Sequence, residues 1–308
     1  MSFLTALLRA PLRYREDQGR RDGRGGEADD ALGIYLRPGE IDEAVRALAS
    51  APLTILAGGT DFYPARVGRP LDDDVLDITG IAALRGIAEG ATEFRIGAAT
   101  TWSEVIAADL PPAFDGLKRA AREVGGVQVQ NAGTLAGNLC NASPAADGVP
   151  CLLALDAELE LASAQAIRRL KLAEFITGNR RTSRRRDELV TAILVPKPRH
   201  AARSTFLKLG ARKYLVISIA MVAAILEIEA ARIAAARVAV GACSVVAQRL
   251  PALEAALLGR EAVPGLGAVV SDAHLAPLAP IDDIRGTAAY RDEAALVLVR
   301  RALEELVA

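Results

Sequence analysis

Two short segments carry the residue types that could hold a phosphorylated ligand. The first is Leu56-Ala57-Gly58-Gly59-Thr60-Asp61, directly after a run of apolar residues. Two glycines let the backbone turn sharply and approach a ligand without a Cβ in the way. Successive N–H groups there form a concave nest for phosphate, with the Thr60 hydroxyl as a further donor. Asp61 would repel a phosphate and suits sugar hydroxyls, directly or through water. By itself, a Gly-Gly pair ending a strand is commonly only a turn.

The second segment is Asn131-Ala132-Gly133-Thr134-Leu135-Ala136-Gly137-Asn138, followed by Asn141, Ser143, Pro144 and Asp147. Small residues, hydroxyls and amides crowd together with almost no charge between them. Burying such a stretch is costly unless its polar groups find partners. A diphosphate with a sugar chain supplies such partners; a tight turn with Asn caps is the plainer reading. Taken together, two Gly-rich loops, each fed from strand-like sequence, could close on one dinucleotide from two sides. No G-x-G-x-x-G opens a helix, which argues against a Rossmann site, and no P-loop motif is present.

The elements that must position these loops follow from patterning. A helix is expected over 41–49, where apolar residues fall at helical spacing behind Glu40 and Asp42. Short strands are expected at 53–57, 74–78 and 94–98. Thr101 and Glu104 have capping-box spacing, so a helix should run from Trp102 towards Ala108. A helix near 117–124 precedes the second Gly-rich loop; 151–155 is short and apolar, and strands are expected at 158–162 and 188–195. Pro196 and Pro198 mark a domain boundary ending near Ala202. Beyond it lie strands at 205–209, 216–228 and 238–243 and an amphipathic helix at 293–307. This order suggests a smaller α+β domain.

Composition bounds the rest. The chain of 308 residues is 51% hydrophobic and 24% charged, with net charge −1. That is globular and gives no electrostatic reason to bind nucleic acid or a membrane surface. Cys140, Cys151 and Cys243 form no C-x-x-C, and His200 and His274 stand far apart, so a metal site is poorly supplied. The longest apolar run, 215–226, is too short to span a bilayer. A cytoplasmic protein is expected, with 1–30 as a flexible leader or the product of a start codon placed too early.

The paired motifs, 56–61 with 134–138, Asn141-Ala142-Ser143-Pro144 and Asp147, resemble the FAD-binding subunits of molybdenum hydroxylases. These include the flavin chains or domains of xanthine dehydrogenase, aldehyde oxidase and carbon monoxide dehydrogenase. The resemblance runs from about Gly33 to the end of the chain. It implies an α+β fold: a two-part FAD-binding domain of the vanillyl-alcohol-oxidase (PCMH) type over 31–202, then a small α+β domain over 203–308. By resemblance, Leu56, Ala57, Gly58, Gly59, Thr60 and Asp61 with Gly133, Thr134, Gly137 and Asn138 hold the FAD diphosphate and ribityl chain. Asn141 and Asp147 complete that site. Val190 falls where the family sets an aliphatic residue against the flavin, and Lys208 matches a lysine near it. Two positions depart from the pattern. Ala136 replaces a glycine, which could constrain the backbone's approach to phosphate, and Gln130 stands where an arginine is common.

No nucleophile–base set is present, and with FAD none is needed, because the cofactor carries the redox chemistry. The implied role is electron transfer from iron–sulfur clusters through FAD to NAD or oxygen, in complex with separate molybdenum-cofactor and 2Fe–2S subunits. The alternatives are a free-standing FAD-dependent dehydrogenase or reductase, and a non-catalytic assembly subunit. The cluster Arg180, Arg181, Arg184, Arg185 and Arg186 reads as a solvated loop, a docking face for an acidic partner, or an attractor of a nicotinamide dinucleotide's phosphates. Cys140 reads as a small buried hydrophobe and Trp102 as core.

Overall fold

The computed structural model describes residues 33–68 and 72–308; the expected leader, 1–30, lies outside the described residues. Apolar spacing sets the first layer. Ala44, Val45 and Leu48 share one buried face of α1 (Ile41–Ser50), with Asp42 and Glu43 in its first turn. This helix crosses over between β1 (Tyr35–Leu36) and β2 (Thr54–Leu56), and β3 (Val75–Asp77) pairs parallel with both. The result is a three-stranded parallel sheet in the order β1–β3–β2.

An antiparallel sheet follows, ordered β4–β5–β10–β6–β7 from β4 (Ile87–Glu89), β5 (Glu93–Gly97), β6 (Glu158–Ala162), β7 (Ile167–Lys171) and β10 (Leu189–Pro196). Between β5 and β6 run five helices: α2 (Trp102–Ala107), α3 (Asp115–Glu123), α4 (Val127–Ala132), α5 (Leu135–Asn141) and α6 (Gly148–Ala154). The expected capping box forms: the Thr101 hydroxyl accepts from the Glu104 amide while the Glu104 carboxylate accepts from the Thr101 amide. The apolar stretch 151–155 falls mostly in α6, whose Pro150 sits in the first turn, where a missing N–H costs no intrahelical bond. After the short helix α7 (Leu172–Phe175) comes a two-stranded hairpin, β8 (Ile176–Gly178) and β9 (Arg181–Thr182).

The last sheet, β11–β12–β13–β14, is antiparallel: β11 (Ala201–Leu209), β12 (Ala220–Glu229), β13 (Arg232–Gly241) and β14 (Gln248–Arg249). The expected 216–228 strand starts four residues late. Leu215 has φ +52°, and Ser218 is tied to Asp147, so this stretch is a loop despite its apolar sequence. β12 is a near-continuous apolar run because both faces are covered. Met221, Ala223 and Ile225 join the core with Leu117 and Leu152 of α3 and α6. Ala220, Val222, Ala224 and Leu226 join a second core with α8 (Pro251–Leu257) and α9 (Ala288–Val307). Leu298, Leu303 and Leu306 of α9 are buried there, each worth roughly 1.5–3 kcal/mol. The sheet is thus sandwiched, and its face towards α3 and α6 forms the seam between the two halves of the chain.

Candidate functional site

The structure brings the two Gly-rich segments into contact. Leu56, buried, ends β2, and the chain turns through Gly58 and Gly59. A Cβ on Gly58 would lie 1.8 Å from the Ala132 carbonyl oxygen and 2.9 Å from Gly133 Cα. Gly59 has φ +72°, and a Cβ there would fall 2.6 Å from the Tyr63 ring. Only glycine at both positions allows this approach. Thr60 Oγ1 lies on the other side of the contact, 3.3 Å from where a Gly133 Cβ would stand.

The second segment does not follow a strand. It leaves α4, turns at Gly133 and enters α5, while Trp102 N–H donates to the Gly133 carbonyl (3.2 Å) and Leu135 N–H to that of Thr100 (3.0 Å). Thr134 caps α5 by accepting from the Gly137 amide at 3.0 Å, which leaves its O–H free to donate. Ala136 lies in the first turn of α5, 3% exposed, so its methyl packs into the core instead of constraining a loop. Gln130 spends its side-chain amide on the Arg122 and Val124 carbonyls. Cys140, expected to be buried, is exposed, because α5 turns its core face through Leu135, Ala136 and Leu139.

Several polar groups here lack partners. Among the described residues, the N–H groups of Gly58, Gly59, Thr60 and Asp61 donate to nothing, nor do those of Thr134 and Ala136. Asn138 Oδ1 is a buried acceptor without a donor. The buried Asn138 oxygen is unusual unless a ligand completes it, and the half-buried amides of Gly58, Gly59 and Thr60 are open to a ligand or to water.

Asp147 sits just before α6, buried, and accepts from Lys208 Nζ at 2.7 Å and Ser218 Oγ at 2.6 Å. Lys208 reaches it across the seam from β11, its side chain only 4% exposed. Burial pushes the Asp147 carboxyl above its ordinary value, and Lys208 and Ser218 offset this only in part. Glu123, at the end of α3, is also pushed up by burial, with Lys208 opposing. Asn141 Oδ1 accepts from Arg180, which lies 3.8 Å from Asp61. Val190 stands apart from these polar groups, in the core of β10 opposite Leu161 and beside a bulge.

Sequence reasoning passed over two residues. Ser218 was hidden in an apolar run, and Arg180 was one of five clustered arginines. Arg184 and Arg185 fold back onto Glu188 and its neighbouring carbonyls. Among the described residues no group of three metal-ligating side chains gathers, and no helix is long and apolar enough to cross a membrane.

A free-amide nest, an apposed second turn and an unpartnered buried acceptor suit a diphosphate-bearing cofactor with a hydroxylated chain. The sequence comparisons name the class. The family described as "FAD binding domain in molybdopterin dehydrogenase" matches residues 28–198, and the "CO dehydrogenase flavoprotein C-terminal domain" matches 205–306. The carbon monoxide dehydrogenase medium chain of Afipia carboxidovorans is 31% identical over 279 residues, 88% of this chain and 95% of that one. The nicotinate dehydrogenase FAD-subunit of Eubacterium barkeri is 33% identical over 195 residues, 60% of this chain and 65% of that one. The structure of carbon monoxide dehydrogenase from Hydrogenophaga pseudoflava superposes with a TM-score of 0.80 at 28% identity, covering 89% of this chain and 97% of that one. The chain belongs to the family of FAD-binding domains of molybdopterin dehydrogenases. It is an FAD-binding subunit of a molybdenum-hydroxylase-type oxidoreductase.

Proposed function

We propose that this chain is the FAD-carrying electron-transfer subunit of a molybdenum hydroxylase complex in the cytoplasm. It would take electrons from iron–sulfur clusters on a 2Fe–2S subunit and pass them to NAD or another acceptor, with substrate oxidised on a molybdenum-cofactor subunit. The relatives' own names support a multi-subunit setting, since several are medium chains or medium subunits. We assign 31–202 to a PCMH-type FAD domain and 203–308 to a small α+β domain.

The observation that carries the reading is the run of free amides from Gly58 to Asp61, set against Ala132 and Gly133. In this reading those amides, with Thr60 and the Thr134 hydroxyl, hold the diphosphate. Asn138 Oδ1 accepts from a ribityl hydroxyl, and Asn141 and Asp147 line the same wall. Lys208 keeps a cation near the flavin ring, where it favours negative charge, and Val190 backs the ring. Bound FAD supplies the redox chemistry; the chain binds it, orients it and shields it.

The test is to purify the chain with its co-expressed neighbours, record the visible spectrum and identify the cofactor released on denaturation. About one FAD per chain, with molybdenum and iron–sulfur signals in the accompanying subunits, is the expected result. Absence of flavin, even after reconstitution with FAD, would sink the assignment.

A further inference from the structure

The two loops lack a cation of their own. No Lys or Arg occurs between Val124 and Ile167. Arg66, the nearest after the first loop, is held by Asp73 at 2.5 and 2.7 Å, and Lys208 is buried on Asp147. Amides and hydroxyls alone would have to face a dianionic diphosphate, with the Asp61 carboxylate close by.

Arg180 is placed to change that. It sits at the turn of the β8–β9 hairpin, and its N–H donates to the Ala142 carbonyl at 2.9 Å, just beyond α5. Its Nη1 donates to Asn141 Oδ1 and lies 3.8 Å from Asp61 Oδ1, so one guanidinium touches both segments. Its φ of +57° is in the left-handed region, where Gly or Asn is the easier choice. Nε and Nη2 have no partner among the described residues, and the side chain is 56% exposed.

We propose that Arg180 is an FAD-binding residue that ties the two loops together and presents its remaining N–H donors to the cofactor's diphosphate. A planar guanidinium can hold Asn141 with one nitrogen and a phosphate oxygen with the others. It also screens Asp61 from the phosphates. The proposal rests on the reading of the two loops as the diphosphate site.

The test titrates the flavin-stripped full chain with FAD at several salt concentrations. Arg180→Gly retains the left-handed turn and should leave thermal stability intact. It should weaken FAD about tenfold to hundredfold, the range of a charge-assisted contact, and flatten the salt dependence of binding. Arg180→Lys should recover part of the loss, and Arg180→Gln should recover none. Wild-type FAD affinity in Arg180→Gly, or equal affinity in the Lys and Gln variants, overturns the proposal. Gly59→Val separates the two levels. If it loses FAD while Arg180→Gly does not, the loop site stands and the arginine's role falls. If neither loses FAD, both fall.

Discussion

The seam between the two halves has two ends built from the same materials but finished differently. At the far end, Glu227 accepts from Arg237 at 2.7 Å and from the amides of Arg199 and His200. Arg237 also donates to the Ala154 carbonyl, and Arg249 joins Asp156 to Glu254. That network closes on itself. At the near end, Asp147 and Lys208 cross the same gap, yet beside them stand an unpartnered Asn138 and a row of free amides. Buried polar groups are costly unless satisfied. A closed network therefore reads as structure, and one with an unpartnered buried acceptor reads as half of a complex.

Gly58→Ala should break that contrast most severely. Its methyl would land 1.8 Å from a backbone oxygen, so the two loops must part. FAD content should fall below detection in the purified complex; normal flavin content would mean the contact is not needed for binding. Next comes Glu227→Ala at the far end, which leaves Arg237 partly buried beside a missing partner. Asp156 still lies 3.4 Å from Arg237. The loss is therefore that of a hydrogen bond between charged groups, about 1.5–3 kcal/mol, read as a lower midpoint in urea, while FAD per folded chain should stay unchanged. Lost flavin in this variant would erase the distinction between the ends.

Acid should separate the ends in order. Burial raises the Glu227 carboxyl, but Arg237 and the two amides outweigh it, so its folded-state pKa lies below the ordinary value. Its stabilisation is fully present above the ordinary glutamate range and is lost as pH falls through the depressed value. Glu188, held by Arg168, behaves the same way. Asp147 has the opposite sign: its folded-state pKa is raised, so it takes up a proton earlier and frees Lys208 from its partner. Flavin fluorescence should thus report cofactor loss at a higher pH than circular dichroism reports unfolding. Coincident transitions would refute this ordering.

Much of this was legible in the sequence, because period and capping are local. The α2 capping box and the 158–162 strand follow from neighbouring residues alone, as does most of β12 but not its start. The Gly-Gly turn was legible as well, since glycine types announce backbone need. Less legible was whatever depended on distant partners. Asn131 to Asn138 looks like a loop because its residues are small and polar, yet Trp102 and Thr100 pin it and Thr134 caps it into a helix. Likewise Arg180 resembles its four neighbours until the hairpin sets it against Asn141 and Asp61.

Ala136 tests that distinction with the smallest effect. If the second segment were a phosphate loop like the first, the alanine would be a defect, and restoring glycine would tighten FAD binding. The structure instead places Ala136 in the first turn of α5 with its methyl in the core. Glycine there loses helix propensity worth about 0.5–1 kcal/mol and gives the ligand nothing new. Ala136→Gly should therefore lower the melting temperature by a few degrees and change FAD affinity less than about twofold. A tenfold gain in affinity would show that the methyl obstructs the cofactor and that the two segments bind it in the same way.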